Sequence, residues 1–396
     1  MGIFIPLQSL PNLKAYKYQG DDRSIVTKYV LKPFWQRFVK IFPLWMAPNV
    51  VTLLGFMFMI MNLLTVFYFD PYLNAKSPSW VYFSYALGLF LYQTFDACDG
   101  IHARRTGQSG PLGELFDHCI DACNTTLSVL VFASVLQLGY SWNLVLAQFA
   151  SLCNFYLSTW EEFHTHILFL SEFSGPVEGI LFVIFIFILT GIYGPEIWHQ
   201  EYATLNLSFL PFISSFNFPN YIKIDATTLT FIFGAVGLYF NIESARRNAF
   251  RALKGNKESL HEATKGLFPF FWFYATVLLN LIFYPTILNN CLLPYLLSVG
   301  LAVAFSVGRI IIGHLTKQAF PIINAPMLIP IAQFILIQII DKFFKYDLTK
   351  SVEYIVWTGL GLSCGIYGMF VTDIIYDITT YLDINALSIK YPKKLD

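Results

Sequence analysis

Long apolar runs alternate with short polar connections along most of this chain, and the runs are too long and too continuous for the core helices of a soluble domain. A window of roughly 20 residues, enough helix to cross the bilayer hydrocarbon, predicts spans at 47–69, 80–103, 112–136, 142–160, 177–193, 227–244, 267–288, 292–315, 325–340 and 354–376. The ninth is the shortest. Ten spans return both termini to one side. Before the first of them, Asp22 to Phe42 interleaves basic residues with Phe34, Trp35, Phe38 and Phe42, the pattern of an amphipathic helix lying in a membrane interface. The expected architecture is an all-α polytopic membrane protein: an interfacial N-terminal segment at 1–46, one membrane domain at 47–376 and a polar tail at 377–396.

Composition supports this division. Of 396 residues, 56% are hydrophobic and 13% charged, against about 25% charged in soluble domains. The formal net charge is zero, so no basic footprint for nucleic acid is present. Position matters more than total. With a cytosolic N-terminus, 19 of the 25 basic residues fall in cytosolic segments and five in the opposite loops, with Arg309 inside a span. That asymmetry predicts cytosolic termini. The six cysteines lie mostly in or at the ends of apolar runs without paired spacing, so no disulfide framework is expected. No cleavable leader pattern begins the chain, and Pro6 stands where a myristoylation sequence would carry Ser or Thr. Asn206-Leu-Ser208 is a glycosylation sequon in a loop assigned to the lumen, whereas Asn124-Thr-Thr126 lies within a span. Lys393-Lys394 near the end resembles a dilysine retrieval signal; a solvated charged tail is the alternative.

The second and third spans carry the chemical anomaly. Carboxylates at membrane depth are costly and usually functional, yet these spans hold four aspartates. At 100° per residue, Asp96, Asp99, Gly100 and Ala103 share a face roughly 100° wide, and Glu114, Asp117, His118 and Asp121 share a second one. A short polar connection lets the two faces meet as an acidic cleft at one surface. Like charges so close need cations. Oxygen ligands select hard ions such as Mg²⁺, and a pair of them can clamp a phosphoryl displacement. Arg104 is placed to approach a diphosphate, while Gly100 and Gly113 allow close approach of a ligand or helix.

From Asp96 to Asp121 the residues spell D-x2-D-G-x2-A-R-x8-G-x3-D-x3-D, which resembles the signature of the CDP-alcohol phosphotransferases at every fixed position. Leu13-Lys-Ala-Tyr-Lys-Tyr18, Trp45-Met-Ala-Pro-Asn49, Pro111-Leu-Gly-Glu-Leu-Phe-Asp-His118, Ser158-Thr-Trp-Glu-Glu-Phe-His-Thr165 and Gly175-Pro-Val-Glu-Gly179 extend the likeness to the eukaryotic choline and ethanolamine phosphotransferases, nearest the fungal cholinephosphotransferase group. The resemblance implies transfer of phosphocholine from CDP-choline to diacylglycerol, giving phosphatidylcholine and CMP, with CDP-ethanolamine as the alternative donor. It also implies two Mg²⁺ or Mn²⁺ ions on Asp96, Asp99, Asp117 and Asp121, and a nucleotide site at Gly100, Ala103, Arg104 and Gly113. A homodimer in the endoplasmic-reticulum membrane, with the Golgi as alternative, completes the expectation.

The acceptor hydroxyl needs a base. Metal coordination depresses the basicity of Asp121, whereas neutral His118 has an intrinsic pKa nearer physiological pH. His118 is therefore the preferred base, with Asp121 its rival and Glu114 placed to assist; a packed histidine is the structural alternative. Quaternary ammonium groups are held by aromatic faces and negative charge, which makes Tyr156, Trp160, Glu161 and Glu162 the choline candidates. An aromatic interface belt is the other reading. Asn49 is a candidate nucleotide neighbour or a helix cap, Glu178 a candidate border of the cleft or an interfacial acid, and Arg309, Asp373 and Asp377 a candidate structural pairing, with a substrate route as the alternative. Two rival functions remain: a cation transporter using the aspartates as an ion path, and a structural lipid scaffold.

Overall fold

The computed structural model describes residues 2–170, 175–206, 221–343 and 347–392. Among the described residues, ten helical runs follow one another in the predicted order. After a short helix α1 (Lys32–Phe38) come α2 (Pro48–Phe69), α3 (Ser79–Thr106), α4 (Pro111–Val135), α5 (Trp142–Thr165), α6 (Pro176–Tyr193) and α7 (Ala226–Ala252). Helices α8 (Lys257–Thr264) and α9 (Phe268–Phe283) form the next run, then α10 (Pro285–Asn290) leads into α11 (Leu292–Thr316), α12 (Ile329–Phe343) and α13 (Leu348–Leu382). Eight of these runs are, among the described residues, long and apolar enough to cross a membrane. The other two are α3 and α5, whose apolar sequences are interrupted by Gln93 and Asp96 in one and by Gln148 and Asn154 in the other. Both pack inside the same bundle, so the composition that lowers their hydropathy reflects the polar groups they deliver. Strands are confined, among the described residues, to two small ladders: β1 (Gly20–Asp22) with β2 (Leu168–Leu170), and β3 (Glu201–Asn206) with β4 (Tyr221–Asp225).

Burial is graded across the bundle. Helix α11 has 83% of its apolar window buried, whereas α7 has 6% and presents Leu229, Phe233, Val236 and Phe240 outward. The centre is thus formed by α11 with α4, and α7 lies at the edge, where apolar side chains meet lipid without cost. Asn124 is buried in α4, as its sequence position requires. Of the expected signals, Ser208 of the sequon and Lys393-Lys394 lie outside the described residues.

The N-terminal segment packs on the bundle. Its expected amphipathic helix is present from Ile25 to Ile41, with Ser24 Oγ capping Thr27 N–H at 3.0 Å. Leu31, Trp35, Val39 and Phe42 pack on Val51, Phe95, Cys98 and Val177, while Tyr29, Val30, Ile41 and Trp45 stay exposed. Arg105 Nη1 fastens its end by bonding the Val39 and Phe42 carbonyls, each at 2.9 Å. Residues before it form a strap across the bundle end, with Ile5, Leu10 and Leu13 buried against the main core. Asp373 accepts the backbone N–H groups of Ile3, at 2.7 Å, and Phe4, at 3.3 Å. The expected pairing of Arg309 with Asp373 and Asp377 is not formed among the described residues. Arg309 lies instead over the Phe4 ring, 5.5 Å from its centroid, because the strap occupies the space between them.

Candidate active site

The turn between α3 and α4 builds the site. Gly107 ends α3 in the left-handed region at φ 71°, and Gln108 N–H returns to the Ala103 carbonyl at 2.8 Å; only glycine takes that conformation without steric cost. Pro111 then opens α4, where its missing N–H is no loss. This reversal brings the two aspartate faces together. One oxygen from each of Asp96, Asp99 and Asp117 lies within 4.8 Å of the others. Asp121 comes within hydrogen-bonding reach of Asp96 and accepts the Tyr92 hydroxyl. From α2, the Thr52 hydroxyl donates to Asp99. Buried Asp96 Oδ1 and Asp117 Oδ1 have no hydrogen-bond partner among the described residues. Orphaned carboxylate oxygens in mutual contact repel unless protons or cations intervene. The cluster therefore fits a hard metal ion, through oxygen donors alone.

Beside it the surface is open. A Cβ at Gly100 would meet only the Arg104 guanidinium at 3.7 Å, and one at Gly113 only Asn49 Oδ1 at 4.0 Å. Both glycines thus leave room on the cleft face, and Arg104 folds back over Gly100. Ala103, partly buried, continues this face. Asn49 is not a helix cap: α2 is capped at Ala47, and Asn49 Nδ2 instead bonds the Ala386 carbonyl at 2.9 Å. Its oxygen is left on the side of Gly113.

One turn along α4 a second cluster forms from Glu114, His118 and Glu162, again with one ligand atom each within 4.8 Å. His118 Nε2 stands 3.6 Å from Glu162 Oε2, and both side chains are nearly inaccessible. Neither Glu162 Oε2 nor Glu114 Oε1 has a hydrogen-bond partner among the described residues. The other Glu114 oxygen accepts the hydroxyl of Tyr16, from the strap. Tyr18 follows, more than half exposed. The two glutamates thus flank the imidazole, one from its own helix and one from α5.

Comparison with known sequences decides what this arrangement belongs to. The sequence model of the CDP-alcohol phosphatidyltransferase family matches residues 45–211. Choline/ethanolaminephosphotransferase 1 of Saccharomyces cerevisiae is 53% identical, covering 99% of this chain and 100% of that protein. Cholinephosphotransferase 1 of the same organism is 50% identical over the whole of both chains. Choline/ethanolaminephosphotransferase 2 of Arabidopsis thaliana is 35% identical over 98% of each. The chain belongs to the CDP-alcohol phosphatidyltransferase family. It is therefore a multi-pass membrane transferase, and the rival readings as ion path or lipid scaffold fall away.

Within this family member, the group expected at 156–162 divides. Trp160 is 1% exposed, its Nε1–H bonds the Ala263 carbonyl at 2.8 Å, and its ring packs on Ala245, Ala249 and Ala263. Tyr156, equally buried, donates to the Gly266 carbonyl at 2.9 Å, and Glu161 accepts from Asn248 at 2.7 Å. These three tie α5 to α7 and to the α8–α9 run, so their rings and charge are spent on packing and present no open face to a choline. Glu162 alone of the four turns to His118. Glu178 accepts Ser24 Oγ and so fastens the strap to α6. Tyr16, Tyr18, Tyr92 and Thr52 were not singled out from the sequence; for Tyr16 and Tyr18 the signal was present in the Leu13–Tyr18 likeness, but nothing local shows what a tyrosine before the first span would reach.

Proposed function

We propose that this protein is a diacylglycerol cholinephosphotransferase, transferring phosphocholine from CDP-choline to 1,2-diacylglycerol to give phosphatidylcholine and CMP. The observation that carries this reading is the adjacency of the two clusters on α4, an oxygen-only acid group at Asp96, Asp99 and Asp117 beside the proton-accepting group Glu114, His118 and Glu162. Chain-length similarity to choline and choline/ethanolamine transferases supplies the substrate class. CDP-ethanolamine is the second donor, favoured by the same relatives.

Asp96, Asp99, Asp117 and Asp121 would hold two Mg²⁺ or Mn²⁺ ions, which when bound neutralise diphosphate charge and stabilise the departing phosphate. Gly100, Ala103 and Gly113 give the nucleotide an unobstructed face, and Arg104 offers its guanidinium to the phosphates. Tyr92 and Thr52 orient Asp121 and Asp99. His118 takes the proton of the diacylglycerol hydroxyl as its oxygen attacks the phosphorus that carries choline. The bond from that phosphorus to the bridging oxygen breaks, and CMP leaves with the electron pair. Glu162 and Glu114 stabilise the imidazolium thus formed. Asp121, engaged by Tyr92 and depressed in basicity by the charge of the cations when they are bound, would be the weaker base. The basic residues gathered at the end of the bundle that carries the cleft support a cytosolic site and termini, in the endoplasmic-reticulum membrane, with diacylglycerol arriving laterally and a homodimer as the assembly.

The test is full-length protein in liposomes containing diacylglycerol, given labelled CDP-choline and CDP-ethanolamine in competition. CMP release that requires Mg²⁺ or Mn²⁺ and favours CDP-choline is expected. No CMP from either donor would remove the reading, and a preference for CDP-ethanolamine would replace the donor.

A further inference from the structure

The strap approaches the second cluster from far outside the motif, and it is fixed on both sides of the residue that makes contact. Upstream, Asn12 Nδ2 bonds the Thr316 carbonyl at the end of α11 at 2.8 Å. Downstream, Leu168 N–H bonds the Gln19 carbonyl at 3.0 Å, and the parallel pairing of Gly20–Asp22 with Leu168–Leu170 continues the tie. Leu10 and Leu13 are buried in the main core. Tyr16 is therefore held between the end of α11 and the chain leaving α5. Its hydroxyl donates to Glu114, whose second oxygen is buried and unpartnered. Burial and the Glu114 carboxylate push the Tyr16 phenol well above its ordinary value, which keeps it a neutral donor throughout the physiological range.

We propose that Tyr16 is a positioning residue for the transfer reaction: by holding one oxygen of Glu114, it fixes that carboxylate beside His118 and so aims the base at the acceptor hydroxyl. This rests on the reading of Glu114, His118 and Glu162 as the proton-accepting group. Glu114 lies in the first turn of α4, and among the described residues its side chain takes a hydrogen bond from Tyr16 while its remaining oxygen is buried without a hydrogen-bond partner. A carboxylate that rotates away from His118 leaves the imidazolium less stabilised at the moment of attack, and binding of the CDP-alcohol through the acid cluster is untouched.

The experiment compares the full-length wild type with Tyr16→Phe, Glu114→Gln and the double variant in diacylglycerol liposomes, with CDP-choline as donor. Tyr16→Phe is expected to lower kcat about tenfold, with KM for donor and acceptor within about twofold of wild type and an unchanged melting temperature. In the Glu114→Gln background the same change is expected to cost nothing further, because its target has been altered. Wild-type kcat in Tyr16→Phe, a rise in KM alone, additive losses, or a lowered melting temperature with normal turnover per folded molecule would each overturn the proposal. Absence of CMP release by the wild type would instead remove the functional reading on which it rests.

Discussion

Asp70 and the motif aspartates are carboxylates inside one apolar bundle, at opposite ends, and they are treated in opposite ways. Asp70, just past α2 and fully buried, has every need met: Oδ1 accepts the N–H groups of Asn74 and Ala75, both at 2.8 Å, and Oδ2 accepts Ser134 Oγ at 2.7 Å. Burial holds its carboxyl above the ordinary range, and these hydrogen bonds offset only part of that rise. It closes the α2–α3 loop onto α4. Asp96 and Asp117 keep orphaned oxygens that face other carboxylates. A satisfied buried acid is structural; an unsatisfied cluster of them is costly alone and becomes favourable only with a ligand. Stability and function are thus separated along the bundle axis, and substitutions at the two ends should separate them too.

The largest effect is expected at the unsatisfied end. Asp117→Asn should lower CMP release on the order of 10³-fold, while the melting temperature of the metal-free protein holds or rises because repulsion is relieved. A destabilised Asp117→Asn would break the comparison. His118→Ala should follow, with a loss of about 10²-fold in kcat and little change in donor affinity. Near-normal turnover there would return the base assignment to Asp121. At the satisfied end, Asp70→Ala strands two N–H groups and a hydroxyl, so about 3 kcal/mol of stability should be lost, with turnover per folded molecule retained. Loss of turnover without loss of stability would show that Asp70 is coupled to the cleft.

The sequence is most transparent where chemistry and periodicity coincide. Fixed offsets on two adjacent helices place Asp96, Asp99, Asp117 and Asp121 on facing sides, because a four-residue turn leaves the helices no other way to meet. Helix order was legible for the same reason, since apolar length dictates it. Tertiary partners were not. Trp160 and Glu162 stand about 200° apart on α5, and which of them meets a wall of alanines and which meets His118 depends on helices far along the chain. Charge and aromatic content mark Asp22 to Phe42 as an amphipathic helix, and Ile25–Ile41 is helical with one face packed on the bundle, whereas the strap before it carries no such pattern. A 3-10 segment with only Leu10 and Leu13 buried carries too little periodicity to announce that it crosses the bundle end.

The smallest expected effect completes the gradient from buried and unsatisfied, through buried and satisfied, to exposed and paired. Asp383, the residue after α13, accepts from Lys390 and Tyr391 and is exposed. Lys390 first, then Tyr391, holds its carboxyl below the usual 3.8. A depressed folded-state value means that whatever the pair contributes is present above the unfolded value and is lost as pH falls through the folded one. Exposure to water and salt screens that contribution. Asp383 also sits in the left-handed region at φ 55°, which asparagine tolerates nearly as well as glycine. Asp383→Asn should therefore leave CMP release and the melting temperature at neutral pH within error. Any difference should be confined to a slightly weaker acid dependence below about pH 4. A clear loss of turnover would instead connect the end of α13 to the cleft, through Ala386 and the Asn49 side chain that its carbonyl holds.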